Sequence, residues 1–341
     1  MRRYSPLAFV IAAALLLPGV ASGQAKVGTT GVNFLKIGPS ARAMGMAEAF
    51  LPIADDASAL YYNPGGLVNL ERRELIFTHV VYPAGINFDF IGGVQPLPQM
   101  GAAVGAAVTA LYTDAMNETT PEHPFGTGRT FTASDFAAAV SFSQRLTDKF
   151  SVGVTGRYIQ ENLADEVAQG WSADVGTYYD TGWRSLKIAM LVSNFGPDMK
   201  FVSTPFPLPI IFRFAASADL YRGDDTRLTA ALEGIHPNDN VEELHLGFEY
   251  AWRDFAMLRL GRKLNGWKRD TYQDFVDDPE TANPYVEYPV IDEEGALSLD
   301  GFTFGGGLNI KRIGLKVDYA YANFGFFGAI HRFTLGYRFR R

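Results

Sequence analysis

The sequence predicts an all-β fold: a transmembrane antiparallel up-and-down β-barrel of about fourteen strands with an N-terminal plug segment. Three observations carry that expectation. Apolar and polar residues alternate with period two through most of the chain after Leu70, the first residues read as an export signal, and short connections alternate with longer ones.

Residues 1–23 come first. Arg2 and Arg3 supply a positive start, residues 8–17 an apolar run and residues 18–23 a small-residue cleavage region, so cleavage is expected after Gly23, with Ala25 as the alternative. The apolar run is shorter than the roughly 20 residues of a membrane-spanning helix. No later stretch is long and apolar enough to be one. Export to the outer membrane is expected.

Residues 24–70 form neither an amphipathic helix nor an alternating strand, and read as a compact plug inside the barrel, near its periplasmic half. Gly38-Pro39 makes a turn. Asp55 or Asp56 caps a short helix over 57–62, since a carboxylate accepts the orphan amide protons of a first turn. An adjacent pair points two ways on a helix, so capping explains it better than a catalytic dyad. Pro64 turns Asn63 away from helical geometry, and Gly65-Gly66 lets the chain bend again. Arg42, in a stretch of small residues, is expected to pair with lumen carboxylates, because a charge removed from bulk water needs a partner.

Residues 71–341 are expected to build the wall. Ile313, Leu315, Val317, Tyr319 and Tyr321 alternate with Gly314, Lys316, Asp318 and Ala320, and Phe333, Leu335, Tyr337 and Phe339 with Arg332, Thr334, Gly336 and Arg338. The apolar set faces lipid and the other the lumen. Similar alternation places Trp171, Val175, Met190, Val192, Leu246 and Phe248 outside. Arg157, Asp174, Glu233, Glu249, Lys316, Asp318, Arg332 and Arg338 become candidate lumen charges, which disfavour a continuous apolar tunnel and leave room for a local apolar pocket. Register is least determined over 84–112 and 205–221, where Gly, Ala and Pro blur the alternation. If the last strand runs down to the periplasm, the connections at 96–99, 146–148, 182–185, 221–225, 252–254 and 311–312 are periplasmic, and all are short. The long insertions 113–130 and 265–299 are then extracellular. The second is acidic and aromatic, with Trp267, Tyr272, Phe275, Tyr285 and Tyr288. It is either a solvated loop or a docking surface for a protein or ligand.

Composition narrows the function. The chain holds 35 glycines and no cysteine, so neither disulfides nor thiolate metal sites exist. A net charge of -7 argues against nucleic-acid binding. The five histidines are scattered without metal-ligand spacing. No GxSxG, Walker loop or GxGxxG before a helix occurs, and Gly305-Gly306-Gly307 reads as strand curvature or room for a plug. No enzyme, metal or cofactor is expected.

Ala41-Arg42-Ala43, Gly45-Met46, Ala49-Phe50, Ala54-Asp55-Asp56 and Asn63-Pro64 together resemble the N-terminal signature of the PorV/PorQ family within the FadL-like outer-membrane proteins. The segment departs from it at Ala47-Glu48, where small glycines are commoner, and at Gly65 in place of Ala. The resemblance continues through Trp171-Ser172-Ala173-Asp174-Val175-Gly176, Ser193-Asn194-Phe195-Gly196-Pro197 and Gly247-Phe248-Glu249-Tyr250. It implies a part in type IX protein secretion, with exported proteins or the translocon as partners beside outer-membrane lipid. The barrel is expected to be monomeric; the alternative function is a FadL-like passive transporter of hydrophobic small molecules, and a third reading is a barrel kept chiefly for envelope structure.

Overall fold

The computed structural model describes residues 28–265, 301–323 and 329–340. The export-signal reading of 1–23, and the loop aromatics Trp267, Tyr272, Phe275, Tyr285 and Tyr288, lie outside the described residues.

The strands are β1 (Glu74–Tyr82), β2 (Ile86–Leu97), β3 (Ala102–Thr113), β4 (Met116–Asn117), β5 (Thr130–Phe131), β6 (Ala133–Arg145), β7 (Phe150–Leu163), β8 (Glu166–Asp180) and β9 (Lys187–Phe195). They continue with β10 (Met199–Phe201), β11 (Thr204–Phe206), β12 (Ile211–Arg222), β13 (Thr226–Pro237), β14 (Glu243–Trp252), β15 (Ala256–Asn265), β16 (Phe302–Ile310), β17 (Leu315–Asn323) and β18 (Ala329–Arg338). Fourteen of them close into an antiparallel barrel, with β4-β5 and β10-β11 as small separate hairpins. The seam is β1 against β18, in register from Glu74 opposite Arg338 to Val80 opposite Arg332. Closure leaves no unpaired edge, the condition for crossing a bilayer as sheet.

The period-two pattern is realised in burial. Phe333, Leu335 and Tyr337 point outward and are exposed, while Arg332 and Thr334 between them are buried. One end carries only short connections, 98–101, 146–149, 181–186, 223–225, 253–255 and 311–314, and the wall both begins and ends there. The other end carries the longer ones, including 114–132 with β4-β5 and 196–210 with β10-β11. By that asymmetry the first end is periplasmic and the second extracellular. The blurred alternation over β2 and β3 has a packing cause. A Cβ at Gly92 or Gly105 would lie 2.8 or 2.6 Å from the Leu60 side chain, so the wall is thinned there to admit the plug.

The N-terminal segment threads the lumen from end to end. The Gly28 amide donates to the Asp239 carbonyl and that of Gly31 to the Pro207 carbonyl, both in extracellular connections. The chain then descends through a 3-10 turn (Asn33–Lys36), α1 (Ala41–Met44), α2 (Ala59–Tyr62) and a 3-10 stretch (Pro64–Asn69) to enter β1 at the periplasmic end. The expectation that the plug occupies the periplasmic half is therefore corrected: its apolar residues from Ala41 to Leu70 form one core with wall residues such as Phe88, Phe90 and Ala320, and Val32, Phe34 and Leu35 form another beneath the β10-β11 hairpin with Met199 and Leu208.

The lipid face gives a direct prediction. Leu335→Arg places a cation in the apolar band and is expected to cost about 2 to 4 kcal/mol, against about 0 to 1 for Ile313→Arg at the periplasmic rim. Urea titration of vesicle-folded protein, with heat-modifiable gel mobility as the folded marker, should rank the two in that order; equal midpoints would mean the band is misplaced.

Candidate functional site

Arg42 is held by α1, whose N-cap Ser40 accepts the Ala43 amide at 3.4 Å. Its Nε and Nη2 donate to the two carboxylate oxygens of Glu249 on β14, at 2.9 and 3.0 Å. This is the two-pronged arrangement that makes arginine–carboxylate pairs strong. Its Nη1 donates to Asp55 at 2.5 Å and Asp56 at 3.1 Å. The two aspartates share Arg42, but Asp56 has a second role. Asp56 makes a turn ahead of α2, its Oδ1 accepting the Ser58 amide at 3.0 Å and its carbonyl the Ala59 amide; the helix itself is shorter than the expected 57–62, with Ser58 at its N-cap and no side chain capping it. Asp55 makes no such bond and faces Arg42.

The network continues into the wall. Glu249 also accepts from Arg259 Nε at 2.8 Å, and Arg259 Nη1 donates to Asp318 at 2.6 Å. Lys316 lies 3.7 Å from Asp56 and 3.6 Å from Glu74, which takes Arg338 at 2.8 Å. With Arg227 3.8 Å from Glu249, five cations face five carboxylates among the described residues. Burial raises the Asp56 carboxyl, but Lys316 and Arg42 outweigh it and hold it below the usual carboxylate range.

The structure therefore brings Arg42, Asp55, Asp56, Glu249, Lys316, Asp318 and Arg338 together. Arg157 and Asp174 stand apart as a wall pair at 2.7 Å, with Asn194 accepting from Arg157 at 2.8 Å. Glu233 accepts the Phe50 and Leu51 amides at 3.0 and 3.1 Å. Arg332 reaches Glu48 at 3.3 Å, and Glu48 accepts the Tyr62 hydroxyl at 2.7 Å. For Glu48 the opposing influences are burial, which raises its carboxyl, and Lys263, Arg332 and the Tyr62 hydrogen bond, which together hold it low. Sequence reading passed over Glu48, Glu74, Arg259 and Arg213, which lies 3.6 Å from Glu233. Arg259 was findable, since it alternates with Leu258 and Leu260. Glu48, in the plug, has no periodic signal.

Asn63 and Pro64 fix the lower corner. Asn63 Oδ1 accepts the Gly65 amide at 3.0 Å, and its Nδ2 donates to the carbonyls of Leu51 and Thr177 at 3.2 and 3.1 Å. The wall is glycine where this corner touches it: a Cβ on Gly153 would lie 2.2 Å from the Pro64 carbonyl carbon, and one on Gly176 2.4 Å from Asn63 Oδ1. At the upper corner Gly305 would meet the Gly45 Cα at 3.0 Å, which assigns that glycine to making room for the plug. Ala47 and Glu48 adopt left-handed backbone angles, φ 54° and 67°, a geometry that glycine adopts without strain.

Residues 20–235 match the family model described as type IX secretion system protein PorV. The chain belongs to the PorV family. Among curated proteins no match is found. Among solved structures, the Pseudomonas putida toluene transporter TodX aligns over 88% of this chain and 96% of its own, with 11% identity and a TM-score of 0.53. A Pseudomonas aeruginosa FadL homologue aligns over 89% and 98%, with 10% identity and a TM-score of 0.51. At such identity the likeness shows a shared FadL-like fold. PorV membership makes this barrel a type IX secretion system protein of the outer membrane, and the matched residues include the whole described plug.

Removing Glu249 leaves the buried Arg42 and Arg259 without their shared carboxylate. Glu249→Ala is expected to destabilise the folded protein by about 3 to 5 kcal/mol, read as a lower urea midpoint; an unchanged midpoint would mean that water already serves these guanidinium groups. The carboxyls of Asp56 and Glu48 are lower in the folded than in the unfolded chain. Their contribution is therefore complete above the unfolded values near about 4 and is lost as pH falls below them through the folded ones. Proteolysis of the N-terminal segment should be flat from neutral pH down to about 5 and rise only below about 4.

Proposed function

We propose that this PorV-family barrel works in secretion as a docking protein, engaging exported proteins or the translocon from its extracellular side while passing nothing through its own lumen. The observation that carries this reading is the plug, which runs the length of the barrel and is ion-paired to the wall at several levels, through Lys36, Arg42 and Glu48. The periplasmic opening leads into a cavity of about 660 Å³ lined mostly by charged residues, among them Arg42, Asp55, Lys316 and Arg338. The apolar space above, between Phe34, Leu35, Leu60 and Phe90, measures about 10 Å³. Ligand pockets for small molecules are typically about 300 to 1,000 Å³ and mostly apolar. A transporter of hydrophobic molecules fits this interior poorly.

The extracellular end, by contrast, presents apolar side chains to water. Phe125, in the 114–132 connection, is 99% exposed, and Val202, at the tip of the β10-β11 hairpin, 76%. Exposed aromatic anchors are what protein interfaces use. β15 ends and β16 begins at this same end, so the aromatic-acidic segment 265–299 belongs to the same proposed docking surface. In this reading residues 1–23 act as a cleaved export signal and the barrel has no catalytic role.

Replacing residues 265–299 by a short polar turn should abolish co-purification of secreted proteins while the heat-modifiable barrel persists, and Phe125→Ser should weaken it. Should both variants keep every protein partner, or should the wild-type barrel restore long-chain fatty-acid uptake in a transport-deficient host, the transporter reading replaces this one.

A further inference from the structure

Large side chains cover the lipid face over much of the wall, but beside β15 and β16 that cover is interrupted. Gly306 stands between Leu258 on one neighbouring strand and Tyr319 on the other. A Cβ there would meet only the Met257 carbonyl oxygen, at 3.9 Å. One outward position nearer the periplasm, β15 carries Ala256, between Trp252 and Leu308. The two missing side chains open an apolar groove of about 610 Å³ walled by Tyr250, Trp252, Leu258, Leu308, Val317 and Tyr319. Leu258 is 66% exposed because its cross-strand neighbour is a glycine.

Directly below the groove are the periplasmic turns 253–255 and 311–314, tied by the Asn309 amide donating to the Phe255 carbonyl at 2.8 Å. They carry Arg253, Lys311 and Arg312 against Asp254, with Asp225 of the adjacent turn 223–225 facing Arg253. Lys311 lies 3.3 Å from Asp254. Arg253 reaches Asp225 at 3.0 Å and covers the Trp252 ring at 5.3 Å. Arg312 is exposed. An apolar slot thus runs down to an interfacial tryptophan and a positive rim. That polarity matches one acyl chain and its phosphate headgroup, since cations beside a membrane attract anionic lipid.

We propose that this groove holds one anionic phospholipid of the periplasmic leaflet, its chain over Gly306 and Ala256 and its phosphate at Lys311 and Arg312. The full-length barrel, stripped of native lipid, is titrated with phosphatidylglycerol or phosphatidylethanolamine and followed by native mass spectrometry. One phosphatidylglycerol should be retained per barrel, in preference to phosphatidylethanolamine. Gly306→Leu fills the slot and should weaken retention about tenfold, the equivalent of roughly two buried methylenes. Ala256→Leu fills it from the neighbouring strand and replaces the first variant should that one not fold. Lys311→Gln with Arg312→Gln should erase the headgroup preference, and Val192→Leu on β9 should change nothing. Unsaturable adducts, no preference for phosphatidylglycerol, or equal retention in the groove-filled variants would overturn the proposal; so would a dimer that disappears in Gly306→Leu, which makes a second copy the occupant.

Discussion

A guanidinium deprived of water must find carboxylates, and the barrel interior is arranged around that requirement at Arg42. The residue is 6% exposed and lies on a four-residue helix too short to hold itself in place. Its position comes from Glu249, 207 positions later in the chain. Glu249 in turn is shared with Arg259, which approaches from the neighbouring strand. Plug and wall are thus mutually conditional. Without the plug, the wall would present unneutralised charge to an open lumen; without the wall, Arg42, Asp55 and Asp56 would have no reason to converge.

Shape reinforces charge. The plug is irregular backbone rich in small residues, and it contacts the wall through main chain at Gly153, Gly176, Gly247, Gly261 and Gly305. Such approach brings dispersion contacts that a layer of side chains would prevent. It also explains the tolerance of a strained step at Ala47-Glu48. The Ala47 amide donates to Thr303 at 2.9 Å, and Glu48 is fastened by Tyr62 and Arg332, so the neighbours over-determine the conformation.

The wall was legible in the sequence because strand periodicity is a local property. Trp171 against Asp174, or Leu335 against Thr334, declares its face within a few residues. The plug was legible as a family signature but not as a path. That Gly28 sits beside Asp239, or Phe50 above Glu233, depends on contacts about 200 residues apart. Where wall and plug share space, the local signal itself degrades, as at Gly92 and Gly105, whose missing side chains are replaced by Leu60. The roles of Asp55 and Asp56 were likewise open in the sequence, since either residue can turn the chain and only tertiary placement brings both to Arg42.

The hydroxyl of Thr334 joins three parts of the chain. It accepts the Ala41 amide of the plug at 2.9 Å and meets Thr78 of β1 at 2.8 Å, across the seam that closes the barrel. The plug therefore docks where the first and last strands of the wall meet, at the point where the sheet becomes a cylinder. Plug seating and seam closure thus share one hydroxyl, and neither polar contact is complete without the other.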